Sequence, residues 1–387
     1  MRILNVIASV DPAGGGPVEG LKQHAAVHAS RGVSVEVACL DDPSAAWLDG
    51  FPVPVHALGP PRLATRFFPY YYSPRFAPWL RSHAGEFDRV IVHGLWQYHA
   101  FAVWRALRRG GTPYYVFAHG MLDPWFKRKY PLKHFKKWLY WPWADYRVLR
   151  DAKAVLFTCE EERILARQSF WLYRCREEVV GLGTAAVNGE AGAQRQRFLD
   201  AFPEVRGKRV VLFLSRIHPK KGCDLLIEAF ARVARRDAAL HLVVAGPDQV
   251  GWQSQLVARA RALGIGDRVT WPGMLTGDLK WGAYRAAEVF ALPSHQENYG
   301  VVVAEALACG VPVLISDKVN IWREIRAAHA GVVASDDIDG AATLLASWVD
   351  ASDVEKNSMR GNAIQCFRRH FEVHAAVDRL DALLCAA

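Results

Sequence analysis

The sequence predicts an α/β protein built from two doubly wound domains, and three observations lead there. The chain has 387 residues, too many for one ordinary domain and enough for two. Short β-branched runs alternate with amphipathic stretches from end to end, the pattern of parallel sheets covered by helices on both faces. A polar, Gly/Ala-rich stretch over 181–208 divides two series of such runs.

The first series predicts strands at 2–9, 33–40, 89–93, 114–119 and 154–158. The second predicts strands at 209–215, 241–245, 268–271, 289–292, 312–316 and 331–334. Helices are expected at 191–201, 224–235, 253–263 and 338–349, with one or two more over 354–384. This gives a domain over 1–185, a domain over 186–370, and a last helix near 371–387 that crosses back to the first domain. Both domains read as Rossmann-like, with strand C-termini on facing sides of a cleft, the edge where open α/β sheets bind ligands.

Composition narrows the class. Hydrophobic residues make up 51 % and charged residues 22 %, so each half can build a core and extensive disorder is excluded. The net charge of +9 favours phosphate-bearing partners without choosing among them. Seven cysteines, an odd number with no CxxC pair, argue against a disulfide framework or a zinc site. The first ten residues read as a strand rather than a signal peptide, and no apolar run reaches the ~18 residues of a membrane span. A reducing cytoplasm is the expected home.

The strongest motif is 294–310, SHQENYGVVVAEALACG, which follows the strand at 289–292. Glu297 sits in the loop and Glu305, seven residues between them, in the helix that follows. Asn298 is expected to cap that helix, and Gly300 to let a ligand approach the backbone. The helix N-terminus offers free N–H groups to a diphosphate. A second motif, 215–222, SRIHPKKG, sets Arg216 and Lys221 between a strand end and a helix, where cations suit phosphate. Gly14, Gly15 and Gly16 follow the first strand, where consecutive glycines can cradle a phosphate or sugar. Pro17 suits the first position of the next helix. His119 lies at the end of the strand at 114–119.

Together these residues resemble the large retaining glycosyltransferase family four, with the GT-B fold. The hallmark Glu-x7-Glu is Glu297 and Glu305, preceded by Arg-x4-Lys at Arg216 and Lys221. The resemblance implies a nucleotide-diphosphate sugar as donor and a saccharide or lipid-linked acceptor, in exopolysaccharide, lipopolysaccharide or glycolipid synthesis. It implies that Glu297 hydrogen-bonds sugar hydroxyls, Glu305 the ribose, and Arg216 and Lys221 the diphosphate. His119 would sit by the sugar, and the backbone of Asn298, Tyr299 and Gly300 would line it, with Gly15 and Gly16 facing the donor. The first domain would bind the acceptor and the second the donor. No cofactor or metal is expected, since no Asp-x-Asp clamp is present in a fitting place.

Two other readings compete. A nicotinamide-dependent dehydrogenase would use the glycine loop and Asp41, but Glu19 stands where GxGxxG needs its last glycine. A nucleic-acid-binding protein would use the basic, aromatic segment 125–150, but no recognition motif accompanies it. In that segment Lys127, Arg128, Lys129, Lys133, Lys136 and Lys137 fall within eleven residues, among Trp125, Phe126, Tyr130, Phe135, Trp138, Tyr140, Trp141 and Trp143. An anionic membrane surface or an acceptor suits this patch, and would hold the enzyme on the inner face of the membrane.

Overall fold

The computed structural model describes residues 1–61 and 70–386. They fall into two compact units, one of Met1–Gly183 with Val373–Ala387 and one of Thr184–Glu372.

The first unit holds a seven-stranded sheet of β1 (Arg2–Ile7), β2 (Ser34–Cys39), β3 (Val55–Ala57), β4 (Arg89–His93), β5 (Tyr114–Phe117), β6 (Ala154–Phe157) and β7 (Glu177–Val179). All pairings are parallel and the order is β3-β2-β1-β4-β5-β6-β7. The period of two sorts the side chains. Leu4, Val6, Val90, Val92, Val116 and Val155 enter one core cluster, under the helix Tyr98–Leu107. Ile3, Ile91, Tyr115, Phe117 and Leu156 enter the other. That second face is covered in part by the C-terminal helix Val373–Cys385, whose Leu380 and Leu384 are fully buried. Each such leucine contributes about 2 kcal/mol by apolar burial. Polar contacts fix the helix: His28 Nε2 lies 2.8 Å from Asp381, Arg31 pairs with Asp378 at 2.8 Å, and Arg89 donates to the Leu384 carbonyl at 2.8 Å.

The second unit holds β8 (Arg209–Leu214), β9 (Leu240–Ala245), β10 (Val269–Gly273), β11 (Val289–Leu292), β12 (Val313–Ser316) and β13 (Gly331–Ala334). They are again parallel, in the order β10-β9-β8-β11-β12-β13. Each sheet therefore reverses its winding once, between β1 and β4 and between β8 and β11. Such switch points leave a crevice at the strand C-termini, because the flanking helices run to opposite faces.

The two helix-covered parallel sheets are the doubly wound arrangement that the alternation predicts. Expected strands end one or two residues early at several places. β3 and β7 were not expected: three residues each, partly exposed, they carry too little pattern to read. The C-terminal stretch is two helices, Asp353–Cys366 and Val373–Cys385, joined by a π turn. Among the described residues no helix is long and apolar enough to cross a membrane.

Candidate active site

In the second unit the loops after β8 and β11 meet because those strands are neighbours. After β8, His218 caps a 3-10 turn, Pro219–Lys221, its Nδ1 accepting from the Lys220 N–H at 3.0 Å. Gly222 then turns into the left-handed region at φ 69° and starts the helix Cys223–Val233. The His295 N–H donates to the Lys220 carbonyl at 2.9 Å, which ties the two loops together.

Lys221 is 6 % exposed, and its Nζ contacts Glu297 Oε2. This ion pair joins two residues expected to act separately, one on the diphosphate and one on the sugar. Burial, then the neighbouring cations Lys220 and Arg216, push the Lys221 ammonium down to about 7, while Cys223 acts weakly the other way. The contacting Glu297 carboxylate favours the charged form. Glu297 is held by its backbone: its N–H donates to the Lys318 carbonyl and its carbonyl accepts from the Asn320 N–H, both at 2.9 Å. Arg216 is exposed, with Nη1 3.1 Å from Gln249 Oε1.

The helix after Glu297 begins at Val301, and its N-cap is Gly300 at φ 71°, with no side-chain cap. The expectation of an Asn298 cap is thus corrected: Asn298 lies two residues too early, and its Oδ1 is 3.4 Å from Asn320 Nδ2. Tyr299 is buried and meets Phe371 edge to face at 5.9 Å. Glu305 is 7 % exposed. Lys280 Nζ donates to its Oε1 at 2.5 Å, and the Tyr284 hydroxyl lies 3.0 Å from Oε2. Both partners come from the helix Gly277–Ala286, and the sequence reading missed them. Lys280 and Tyr284 share a face by their i, i+4 spacing, the one signal that was there to find.

The first unit places its candidates at the ends of β1 and β5. After β1 a 3-10 turn, Pro12–Gly14, is capped by Asp11, whose carboxylate accepts from the Ala13 N–H at 2.8 Å. Gly15, at φ 70°, is the N-cap of the helix Gly16–Ser30, and Pro17 stands second in that helix rather than first. Asp41 is no free ribose ligand. Its oxygens accept from the Ser9 hydroxyl at 2.6 Å and the Val10 N–H at 2.8 Å, which weakens the dinucleotide reading.

His119 lies beyond β5, which ends at Phe117, with φ 48°. A non-glycine residue in that region costs on the order of 1 kcal/mol and is kept only where its surroundings enforce it. Here buried Glu162 enforces it, accepting from the Gly120 N–H at 2.5 Å and from the Thr158 N–H and hydroxyl at 2.7 and 2.6 Å.

The basic segment divides. Lys127, Arg128, Lys129, Lys133 and Lys136 are exposed. Lys137 is not part of that surface: it is half-buried, 4.3 Å over the Trp96 ring, and burial lowers its pKa to about 8. Trp141 is fully buried and stacked on Phe170 at 4.3 Å. The helix Pro131–Tyr140 has no buried residue at all.

Comparison with known proteins agrees with this fold. Residues 15–183 match the family model described as a glycosyl transferase 4-like domain, and residues 194–365 the one described as glycosyl transferases group 1. Between them the two models take in most of the chain, which belongs to the GT-B glycosyltransferases of the family four type. The D-inositol 3-phosphate glycosyltransferase of Nocardia farcinica is 34 % identical over 219 residues, 54 % of this chain and 46 % of that protein. That of Thermomonospora curvata is 36 % identical over 211 residues, 50 % of this chain and 48 % of its own. The matched stretch thus spans less than half of either relative. Among solved structures, sucrose-phosphate synthase from Thermosynechococcus elongatus has a TM-score of 0.79 at 19 % identity, over 100 % of this chain and 99 % of that one. HepE of Anabaena, solved with UDP and glucose, has a TM-score of 0.74 at 19 % identity over the whole of both chains. At such identity the likeness is one of fold.

Proposed function

We propose that the protein is a retaining glycosyltransferase that moves a sugar from a nucleotide-diphosphate sugar to a saccharide or lipid-linked acceptor, in exopolysaccharide, lipopolysaccharide or glycolipid synthesis. The observation that carries this reading is the ion pair between buried Lys221 and partly buried Glu297 at the β8/β11 switch point. As the sugar–phosphate bond breaks, the sugar becomes oxocarbenium-like and negative charge grows on the diphosphate. A preorganised ammonium in a site with little water stabilises that charge far more than it would in bulk solvent. The Glu297 carboxylate holds the ammonium charged before the donor arrives and offers acceptors to sugar hydroxyls. Arg216, exposed beside the same loop, can follow the phosphates. Glu305, oriented by Lys280 and Tyr284, is the candidate for the ribose. A nucleoside-diphosphate donor also fits the neighbours solved with UDP or UDP-glucose.

The test is a screen of UDP-, GDP- and ADP-sugars for nucleotide release, run with and without EDTA. One donor is expected to turn over, and the chelator to leave its rate unchanged, because protein cations supply the charge. Metal-reversible loss in EDTA overturns the metal-independent part. Silence with every nucleotide sugar, across a range of acceptors, overturns the whole.

We further propose that the enzyme contacts an anionic membrane leaflet as a peripheral protein. Leu132, Phe135, Trp138 and Leu139 share one face of the helix Pro131–Tyr140, and Leu132 is 81 % exposed. Trp143 and Trp171 are exposed as well. Five exposed cations belong to the same segment, each contributing about 1 kcal/mol near an anionic surface. Sedimentation with vesicles is expected to require anionic lipid and to weaken with salt. Binding should drop in Lys133→Glu/Lys136→Glu and also in Leu132→Ser/Leu139→Ser. Equal recovery in the supernatant with neutral and anionic vesicles overturns this.

A further inference from the structure

Asn5 lies in β1 between core residues and is 8 % exposed, so its amide needs partners inside the protein. Its Oδ1 is 2.9 Å from His93 Nε2, at the end of the adjacent β4. His93 Nδ1 is 3.0 Å from His119 Nε2, beyond β5. The two rings are within 17° of parallel with centroids 5.3 Å apart, as an in-plane N–H···N bond requires. Phe117 stacks on both, at 5.5 and 5.2 Å. β1, the end of β4 and the loop beyond β5 therefore contribute one continuous hydrogen-bonded line that no reading of the motifs included.

Burial keeps both imidazoles neutral: it carries His93 well below the ordinary histidine value and His119 to about 3, with neighbouring histidines acting in the same sense. A neutral imidazole has one N–H and one lone pair. The Asn5 carbonyl oxygen only accepts, so the His93 proton sits on Nε2. His93 Nδ1 is then a lone pair, and His119 must give its Nε2–H to it. What remains on His119 is a bare Nδ1.

We infer that Asn5 and His93 are positioning residues that fix His119 as its Nε2–H tautomer, so that it presents Nδ1 as a hydrogen-bond acceptor to a hydroxyl of a ligand at the strand C-termini of the first unit. This rests on the glycosyl-transfer reading for the ligand, but the tautomer itself does not. The strained φ of His119 and the Glu162 clamp on Gly120 aim the ring. A hydroxyl can donate to such a nitrogen, whereas a second acceptor would be repelled.

The experiment is 15N NMR of the full chain labelled at histidine nitrogens, with His119 and His93 assigned through His119→Gln and His93→Gln. In the wild type both rings are expected to carry the proton on Nε2 and none on Nδ1. Asn5→Asp, whose carboxylate accepts in place of the amide oxygen, should keep the His93 proton on Nε2. Asn5→Leu should leave His119 as a mixture of tautomers. It should also lower kcat/KM about tenfold, about what one net hydrogen bond to the ligand contributes. A wild-type His119 protonated on Nδ1 overturns the relay, as does Asn5→Leu with an unchanged nitrogen pattern. Should Asn5→Leu fail to fold, the wild type and Asn5→Asp still decide. If the nitrogen pattern holds but no nucleotide sugar is turned over, the transfer reading fails and the relay stands.

Discussion

Lys221→Met is expected to lower the rate of nucleotide release by about 10²–10³-fold, the usual cost of removing one preorganised charge donor. Methionine keeps the length and apolar stem of lysine, so the buried volume is filled and the fold persists. What disappears is the ammonium beside Glu297, leaving that carboxylate without its partner. Retention of more than about a tenth of wild-type rate, a loss of under 1.4 kcal/mol of barrier stabilisation, would remove Lys221 from the chemistry. Circular dichroism should match the wild type, which separates this outcome from unfolding. The pH profile carries the same point. Burial with Lys220 and Arg216 brings Lys221 down to about 7, so the free enzyme holds the ammonium below that pH and loses it above. kcat/KM should therefore fall as pH rises through the neutral range. In Glu297→Gln the counter-charge is gone, so the fall should move to lower pH; a limb that stays put would deny the coupling.

Gly222→Ala is expected to lose both stability and turnover. At φ 69° the position is one that L side chains rarely adopt, and a Cβ there would stand 2.2 Å from the Pro293 carbonyl oxygen. That neighbour is backbone at the end of β11, so relief must come from separating the two loops that bring Lys221 to Glu297. Backbone strain of on the order of 1–2 kcal/mol adds to the steric term. For a domain of this size each kcal/mol lowers Tm by about 2–4 °C, so a drop of about 5–10 °C is expected. Scanning calorimetry decides it: a variant melting within about 1 °C of wild type would show that the loops can part without cost.

The fold class was legible because it is written locally. Short apolar β-branched runs mark buried strands, and the helix at Ala191–Ala201 was read to the residue. The placement of Arg216, Lys221 and Glu297 in the loops after β8 and β11, and of Glu305 in the helix that follows, was also legible, since each motif comes directly after an apolar strand. Their partners were not. Lys221 and Glu297 lie 76 residues apart and meet because β11 inserts beside β8, a choice of strand order that no local pattern encodes. Lys280 and Tyr284 reach Glu305 from another helix. Asn5 on β1 and His93 on β4 become neighbours only when the sheet reverses between those strands, and His119 joins them from just beyond β5. In the basic segment the residue types predicted an interface, yet burial of Lys137 and Trp141 and exposure of Leu132 depended on how the helix Pro131–Tyr140 packs. The sequence by itself determined the layers and the chemistry-bearing loops, because those follow from neighbours along the chain. Tertiary structure decided which charges pair, which tautomers hold and which aromatics stay exposed, because those follow from neighbours across the sheet.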